Sequence, residues 1–253
     1  MLDLFARIGV RNADSNSHQT TPSESPEAHD PGRPVDELDD LPVTRETLLD
    51  AGHTALLATL AILTVDSVRR RNGKDIFNTA IPLALALVPE SFGRLLGRSP
   101  PSRLRAWVSV AMVLHAVGTV GDPRDDSSLY DDIGWWDHVT HLCSSSATTI
   151  LVVAGIRAAN RSFDLDLSEE TVATATGVSL GTVFMTWEAL ELALTLFGRA
   201  TDQEALLTFH GRRDFLLDTS FNVVGAILTA IVAPTSTTEF VTRGLERLLD
   251  RLS

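Results

Sequence analysis

The chain has 253 residues with a formal net charge of −12, 44% hydrophobic and 21% charged residues, and a mean hydropathy of +0.10. The acidic balance excludes the basic face a nucleic-acid partner requires, and the single cysteine, Cys143, excludes a disulfide framework or a cysteine-based zinc site. One Lys (Lys74) against twenty Arg, with abundant Asp, resembles the composition of salt-adapted, haloarchaeal proteins. Residues 1–10 carry Asp3 and Arg7 and no long apolar core, so they read as a short amphipathic helix on a membrane surface rather than a cleavable signal. Residues 12–43 hold five Pro, eight acids and only Arg33 as a base. They hold over half of the net charge and too little apolar surface to offset the entropy of ordering, which predicts a disordered acidic tail closing an N-terminal segment over 1–43.

From residue 44 to 236 the pattern changes to apolar runs near the ~20 residues a bilayer crossing needs. The expected fold is all-α, a polytopic membrane bundle of about six spans. The first covers 48–67 and is closed by Arg69, Arg70 and Arg71; the second, 76–96, is interrupted by Pro82, Pro89 and Glu90. The third covers 106–121, after Pro100 and Pro101. The fourth, 133–156, opens on the interfacial pair Trp135 and Trp136. The fifth covers 172–197, with Gly177 and Gly181 as a packing face, and the sixth 213–234. Residues 237–253 read as a short C-terminal amphipathic helix, with Phe240, Leu245, Leu248 and Leu249 near a 3.6 period. A soluble bundle would also be apolar inside. The spans are nonetheless rich in Gly, Ala, Ser and Thr, and the connections carry nearly all the Arg. The expected setting is a lipid bilayer, in the cell membrane. Ten Arg on one set of helix ends against eight Arg and Lys on the other favour cytoplasmic termini, with the acidic loop 122–132 external.

The ionisable residues are not scattered. His115 lies near the end of the third span, Asp137, His138 and His141 in the first turns of the fourth, Glu188 and Glu191 late in the fifth, and Asp214, Asp218 and Asn222 early in the sixth. Because alternate helices run in opposite directions, all fall in one layer roughly 3–14 Å below the same interface. Asp137 and His141 are i,i+4, Glu188 and Glu191 i,i+3, and Asp214, Asp218 and Asn222 step by four, so each set shares a helix face. Gly118 and Gly225 follow His115 and Asn222 by three, which allows close helix approach.

A charge left unpaired in a bilayer costs at least ~2.5 kcal/mol, so five acids together need compensation. Three readings stay open: a divalent metal, structural or catalytic; a hydrogen-bonded network that only fixes helix packing, as in a membrane scaffold; or a proton- or ion-coupled transport path. The favoured metal ligands are Asp137, His141, Glu188, Glu191 and Asp218, with His115, Asp214 and Asn222 in a second layer. Mixed carboxylate and imidazole suits zinc, manganese or iron. Such a site would activate water in a membrane hydrolase. Arg212 and Arg213 at the mouth are expected to pair with one or two acids. His138, off the Asp137–His141 face, reads as interfacial, and His53 and His210 as ordinary helix-end or loop residues. Glu90 reads as snorkelling toward the opposite surface, and Tyr130 and Trp136 as interface anchors.

These segments, over about 106–230, resemble the YjdF-like family of integral membrane proteins of unknown function. The resemblance is carried by Leu114-His115-Ala116 with Gly118, Trp136-Asp137-x-x-x-His141, Glu188-Ala189-Leu190-Glu191, and Asp214-x-x-x-Asp218-Thr219 followed by Asn222 and Gly225-Ala226. It implies a six-helix architecture with a shared acidic–histidine cluster, and no established activity. The chain departs from that family in having His138 where Arg is usual, and Ser144 or Ser145 near a common Gly. A looser similarity to VanZ-like membrane proteins rests on Asp218, Asn222 and Gly225.

Overall fold

The computed structural model describes residues 44–120, 127–203, 205–207 and 209–252. The amphipathic segment and acidic tail read from the sequence over 1–43 lie outside them. Within the described residues the secondary structure is entirely helical.

Helix boundaries follow local chemistry. Helix α1 (Arg45–Arg70) is opened by Thr44, whose hydroxyl accepts from the Thr47 amide, and closed by Arg71 in the left-handed region. Asn72 caps α2 (Gly73–Ala86) in the same way, accepting from the Asp75 amide. Pro82 falls inside α2, and Leu87 interrupts the helix before α3 (Val88–Leu96), with Pro89 in its first turn. Pro100 and Pro101 then precede α4 (Ser102–Thr119). A short turn of helix, α5 (Leu129–Asp132), leads to α6 (Trp136–Ser162). Ser168 caps α7 (Glu169–Thr201); α8 (Arg212–Val232) and α9 (Thr235–Leu252) complete the bundle, with Pro234 between them.

Five segments are long and apolar enough to cross a bilayer: Arg45–Arg70, Gly73–Leu96, Trp136–Ser162, Glu169–Thr201 and Arg212–Val232. The expected third span is a helix, α4, but is not among them. Arg103 and Arg105 occupy its first turn and Ser109 and His115 its body, so its hydropathy is diluted. At 18 residues it measures about 27 Å. It is held instead by neighbours on several sides, packing against α1, α2 and α6. The outer surfaces carry large exposed apolar side chains such as Ile62, Val178 and Val232, as a lipid-facing surface requires.

Three small cores hold the bundle. Leu60, Ala86 and Ala116 join α1, α2 and α4; Leu180, Phe184 and Ala226 join α7 and α8. Leu104, Ile150, Ala154, Phe240 and Val241 fix α9 against α4 and α6. Helix α6 is the hub, touching α4, α7, α8 and α9. At Gly225 of α8 an added Cβ would strike Ser145 Oγ and the Leu142 carbonyl, so only glycine permits the observed approach of α6 and α8. Gly177 and Gly181 behave differently from the expected packing face, since nothing lies within 4 Å of a Cβ built at either.

On the side away from the acidic layer, His53 is 4% exposed. Its Nδ1 lies 2.8 Å from Ser109 Oγ and its Nε2 2.9 Å from Glu90 Oε1. His53 is therefore not an ordinary helix-end residue, and Glu90 does not snorkel. A carboxyl group on the broken α2–α3 segment finds its partner inside the bundle.

Candidate functional site

The acidic layer is assembled where the ends of α2, α4, α6, α7 and α8 meet. One helical turn puts Asp137 and His141 on the same face of α6, and His141 Nε2 lies 3.4 Å from Asp137 Oδ1. Asp218, on α8, presents Oδ1 at 3.9 Å from the same nitrogen and is 1% exposed. Asn222, one turn below, donates through Nδ2 to His141 Nδ1 at 3.2 Å. One ligand atom each from Asp137, His141 and Asp218 lies within 4.8 Å of the others.

His138 belongs to this group rather than to the interface. Its Nδ1 is 3.3 Å from Asp218 Oδ1, and its ring stacks on Phe221 at 4.8 Å between centroids. The face argument missed it because α6 and α8 approach closely enough for residues on two adjacent α6 faces to reach one α8 carboxylate.

Glu188 of α7 is 4% exposed, and its Oε1 has no hydrogen-bond partner among the described residues. Its electrostatic neighbours are His141, Asp137 and Asp214, which places it against the cluster. Glu191 lies beside the same cavity and accepts a 2.6 Å hydrogen bond from Trp187 Nε1. Asp214, half-buried one turn above Asp218, is an electrostatic neighbour of both Asp218 and Glu188.

His115 faces the cavity from α4, but its ring is engaged elsewhere. Nε2 lies 3.4 Å from Asn78 Oδ1 and Nδ1 3.4 Å from the Tyr130 hydroxyl. Tyr130 is thus part of the polar layer rather than a surface anchor, and burial pushes its phenol above its ordinary pKa. Trp136 is half-buried, with Nε1 donating to the Leu114 carbonyl at 3.1 Å. Asn78 also donates to the Leu206 carbonyl, tying α2 to the segment before α8. The signal for Asn78 was an amide inside an apolar run; Trp187 was signalled by its i,i+4 spacing to Glu191.

Arg212 and Arg213 are exposed, and among the described residues neither forms the expected ion pair with the cluster. The imidazoles of His138 and His141 are then the nearest groups able to compensate the acids.

Below the layer runs a cavity of about 460 Å³, lined at its polar end by Asn78, His115, Asp137, His141 and Glu191 and farther down by apolar side chains. The model of a family described as predicted membrane proteins (DUF2238) matches residues 51–238. The chain belongs to this family. The matched stretch contains every cluster residue and both walls of the broken α2–α3 segment. No curated protein and no solved structure matches the chain. A DUF2238 protein is thus a multi-pass membrane protein whose family name carries no activity, and the chemistry of the site must be argued from its own residues.

Proposed function

We propose that this protein holds a divalent cation, zinc, manganese or iron, between Asp137, His141 and Asp218, with Glu188 as a further carboxylate donor, Glu191 on the cavity wall as proton carrier, and His115, Asp214 and Asn222 around them. The observation that carries this reading is Glu188: its buried Oε1, at bilayer level beside Asp137, Asp214, Asp218 and Glu191, has no hydrogen-bond donor among the described residues. An unsatisfied buried polar group costs about 1–3 kcal/mol, more when charged, and a cation removes that cost for all the acids at once. Ligand lengths near 2.0–2.2 Å would need donor pairs about 3–3.5 Å apart, so the 4.8 Å spread would have to close by roughly 1.3–1.8 Å to hold the ion. Asn222 is placed to fix the His141 ring, its amide turning to accept from Nδ1–H when Nε2 serves as ligand.

The chemistry such a site supplies is hydrolysis of a substrate reaching it through the membrane. A cation held there would acidify a water for attack on an ester carbonyl or phosphoryl centre, and Glu191, on the cavity wall, would take that water's proton and pass it to the leaving alkoxide. The segments resembling the YjdF-like family supply the acidic and histidine side chains, which supports treating the cluster as a shared feature.

Elemental analysis of protein purified without chelator tests the site. The expected result is about one divalent metal per chain, lost in Asp218→Asn and His141→Ala, with added metal raising the melting temperature of the stripped wild type. Absence of stoichiometric metal together with an unmoved melting temperature would sink the reading. One observation favours transport instead: the α2–α3 break, with Pro82 and Pro89 on the cavity wall. Ion or proton flux in proteoliposomes, abolished by Glu188→Gln without loss of folding, would identify that activity.

A further inference from the structure

We propose that the cavity beneath the cluster is the seat of a single aliphatic tail, so that the molecule handled at the cluster is an amphiphilic lipid taken from the bilayer. The claim deepens the hydrolase reading and rests on it for the chemistry at the headgroup. The tail seat itself stands on the cavity.

Each wall changes character along its length. On α4, Thr119 and His115 line the cavity at the cluster end, then Met112, Val108 and Leu104 follow at three- and four-residue steps. On α6 the same face runs from Asp137 and His141 through Ser144, Ala147 and Thr148 to Leu151. On α2 and α3 it runs from Asn78 through Ile81 and Leu85 to Val88 and Phe92. Three independent helices therefore place polar groups at one end and hydrocarbon at the other. This polarity matches a headgroup and its tail.

Dimensions narrow the class further. From His115 to Leu104 is eleven residues of helix, about 16 Å, or roughly half the ~30 Å hydrocarbon thickness. The 460 Å³ volume spread over that length gives a cross-section near ~30 Å². The apolar half is open to the bilayer along Ile81, Leu85, Val88 and Leu151, all exposed, so an aliphatic chain can enter it from the side. A small polar ligand would leave most of this apolar depth unused. The α2–α3 interruption at Leu87 lies along the cavity's apolar half, between the lining residues Leu85 and Val88. Pro82 and Pro89, which shape that interruption, both line the cavity.

The test uses the full-length protein in detergent and lysophosphatidylcholines of increasing tail length, with the melting temperature and the midpoint of its shift as readouts. Compared at equal mole fraction in the micelle, the expected result is a shift that grows with tail length until the tail fills the apolar half and then levels off; each step is modest because the tail leaves one hydrocarbon phase for another. Ala147→Phe and Val108→Phe fill the cavity away from the cluster; each should weaken binding of the longest tail at least tenfold while metal content per chain stays unchanged. A shift indifferent to tail length overturns the proposal, as does full tail dependence in both filled variants. If neither variant folds, the wild-type length series alone decides. Tail dependence in a protein that binds no metal would sink the hydrolase reading and leave the lipid seat. Metal without tail dependence would do the reverse.

Discussion

Asn222 illustrates how one side chain separates the competing accounts of the cluster. Its amide is 4% exposed and donates to His141 Nδ1 at 3.2 Å, so it orients the imidazole without being a charged ligand. Groups that orient a metal-ligating histidine typically contribute 10–100-fold to metal affinity. Asn222→Ala should therefore weaken divalent metal binding by roughly that factor in a competition titration against a chelator. In a purely packing network the same change would cost about 1–3 kcal/mol of stability and leave metal uptake unmoved. At this scale the candidate ligands were legible because helical spacing alone gathers Asp137 with His141, and Asp218 with Asn222. The partners that sequence missed, His138, Tyr130 and Asn78, are engaged by residues distant in the chain or by a turn whose position no periodicity encodes. Arg212 and Arg213 misled for the complementary reason: nearness in sequence to Asp214 does not bring a guanidinium to a carboxylate.

At the level of elements, α9 shows an amphipathic helix used as a strap. Its Phe240 and Val241 enter the core beside Leu104, Ile150 and Ala154, and an added Cβ on Gly244 would strike the Phe92 ring. Charge secures its exposed edge. Arg161, at the end of α6, reaches Glu239 at 3.0 Å and Glu246 at 3.2 Å, and Arg243 reaches Glu239 at 2.8 Å. Arg161, with Arg243, holds the Glu239 carboxyl below its ordinary range. A depressed carboxyl stabilises the fold fully above its unfolded value and ceases to as pH falls through its folded one. The groups are half in solvent, so the whole network is worth roughly 0.5–1 kcal/mol. Glu239→Gln should lower the melting temperature slightly at neutral pH, and the difference from wild type should shrink below pH 4.5, the ordinary glutamate value. A pH-independent difference would assign Glu239 a packing role instead. The strap's periodicity was visible in the sequence, whereas its docking partner was not, because the same moment suits a membrane surface as well as a protein groove. Likewise α4 read as a crossing by its apolar run, although Ser109 and His115 show that it is adapted to helices rather than lipid.

For the whole molecule, orientation decides which leaflet the site can serve. The ends of α1, α4, α6 and α9 that meet away from the cluster are linked by Arg105 to Asp50 at 2.6 Å and by Arg161 to Glu239. In the sequence that side also carries Arg45, Arg94, Arg98, Arg103, Arg157, Arg243, Arg247 and Arg251, ten in all, against eight at the other ends: Arg69, Arg70, Arg71, Lys74, Arg124, Arg199, Arg212 and Arg213. Pairing with acids does not weaken the argument, because the retention of Arg and Lys near short loops depends on the basic residues rather than on net charge. The excess predicts a cytoplasmic location for the side away from the cluster, where α1 and α9 begin, and an outward-facing polar mouth for the cavity. A fluorescent protein fused after Ser253 should then fold and fluoresce, while alkaline phosphatase fused at the same point should stay inactive. The opposite pair of results would turn the mouth toward the cytoplasm. The cluster would then draw its cation from the cytosolic pool and its lipid from the inner leaflet, with the geometry of the site unchanged, since the carboxylates, the imidazoles and the tail seat are fixed by helix packing and not by the side they face.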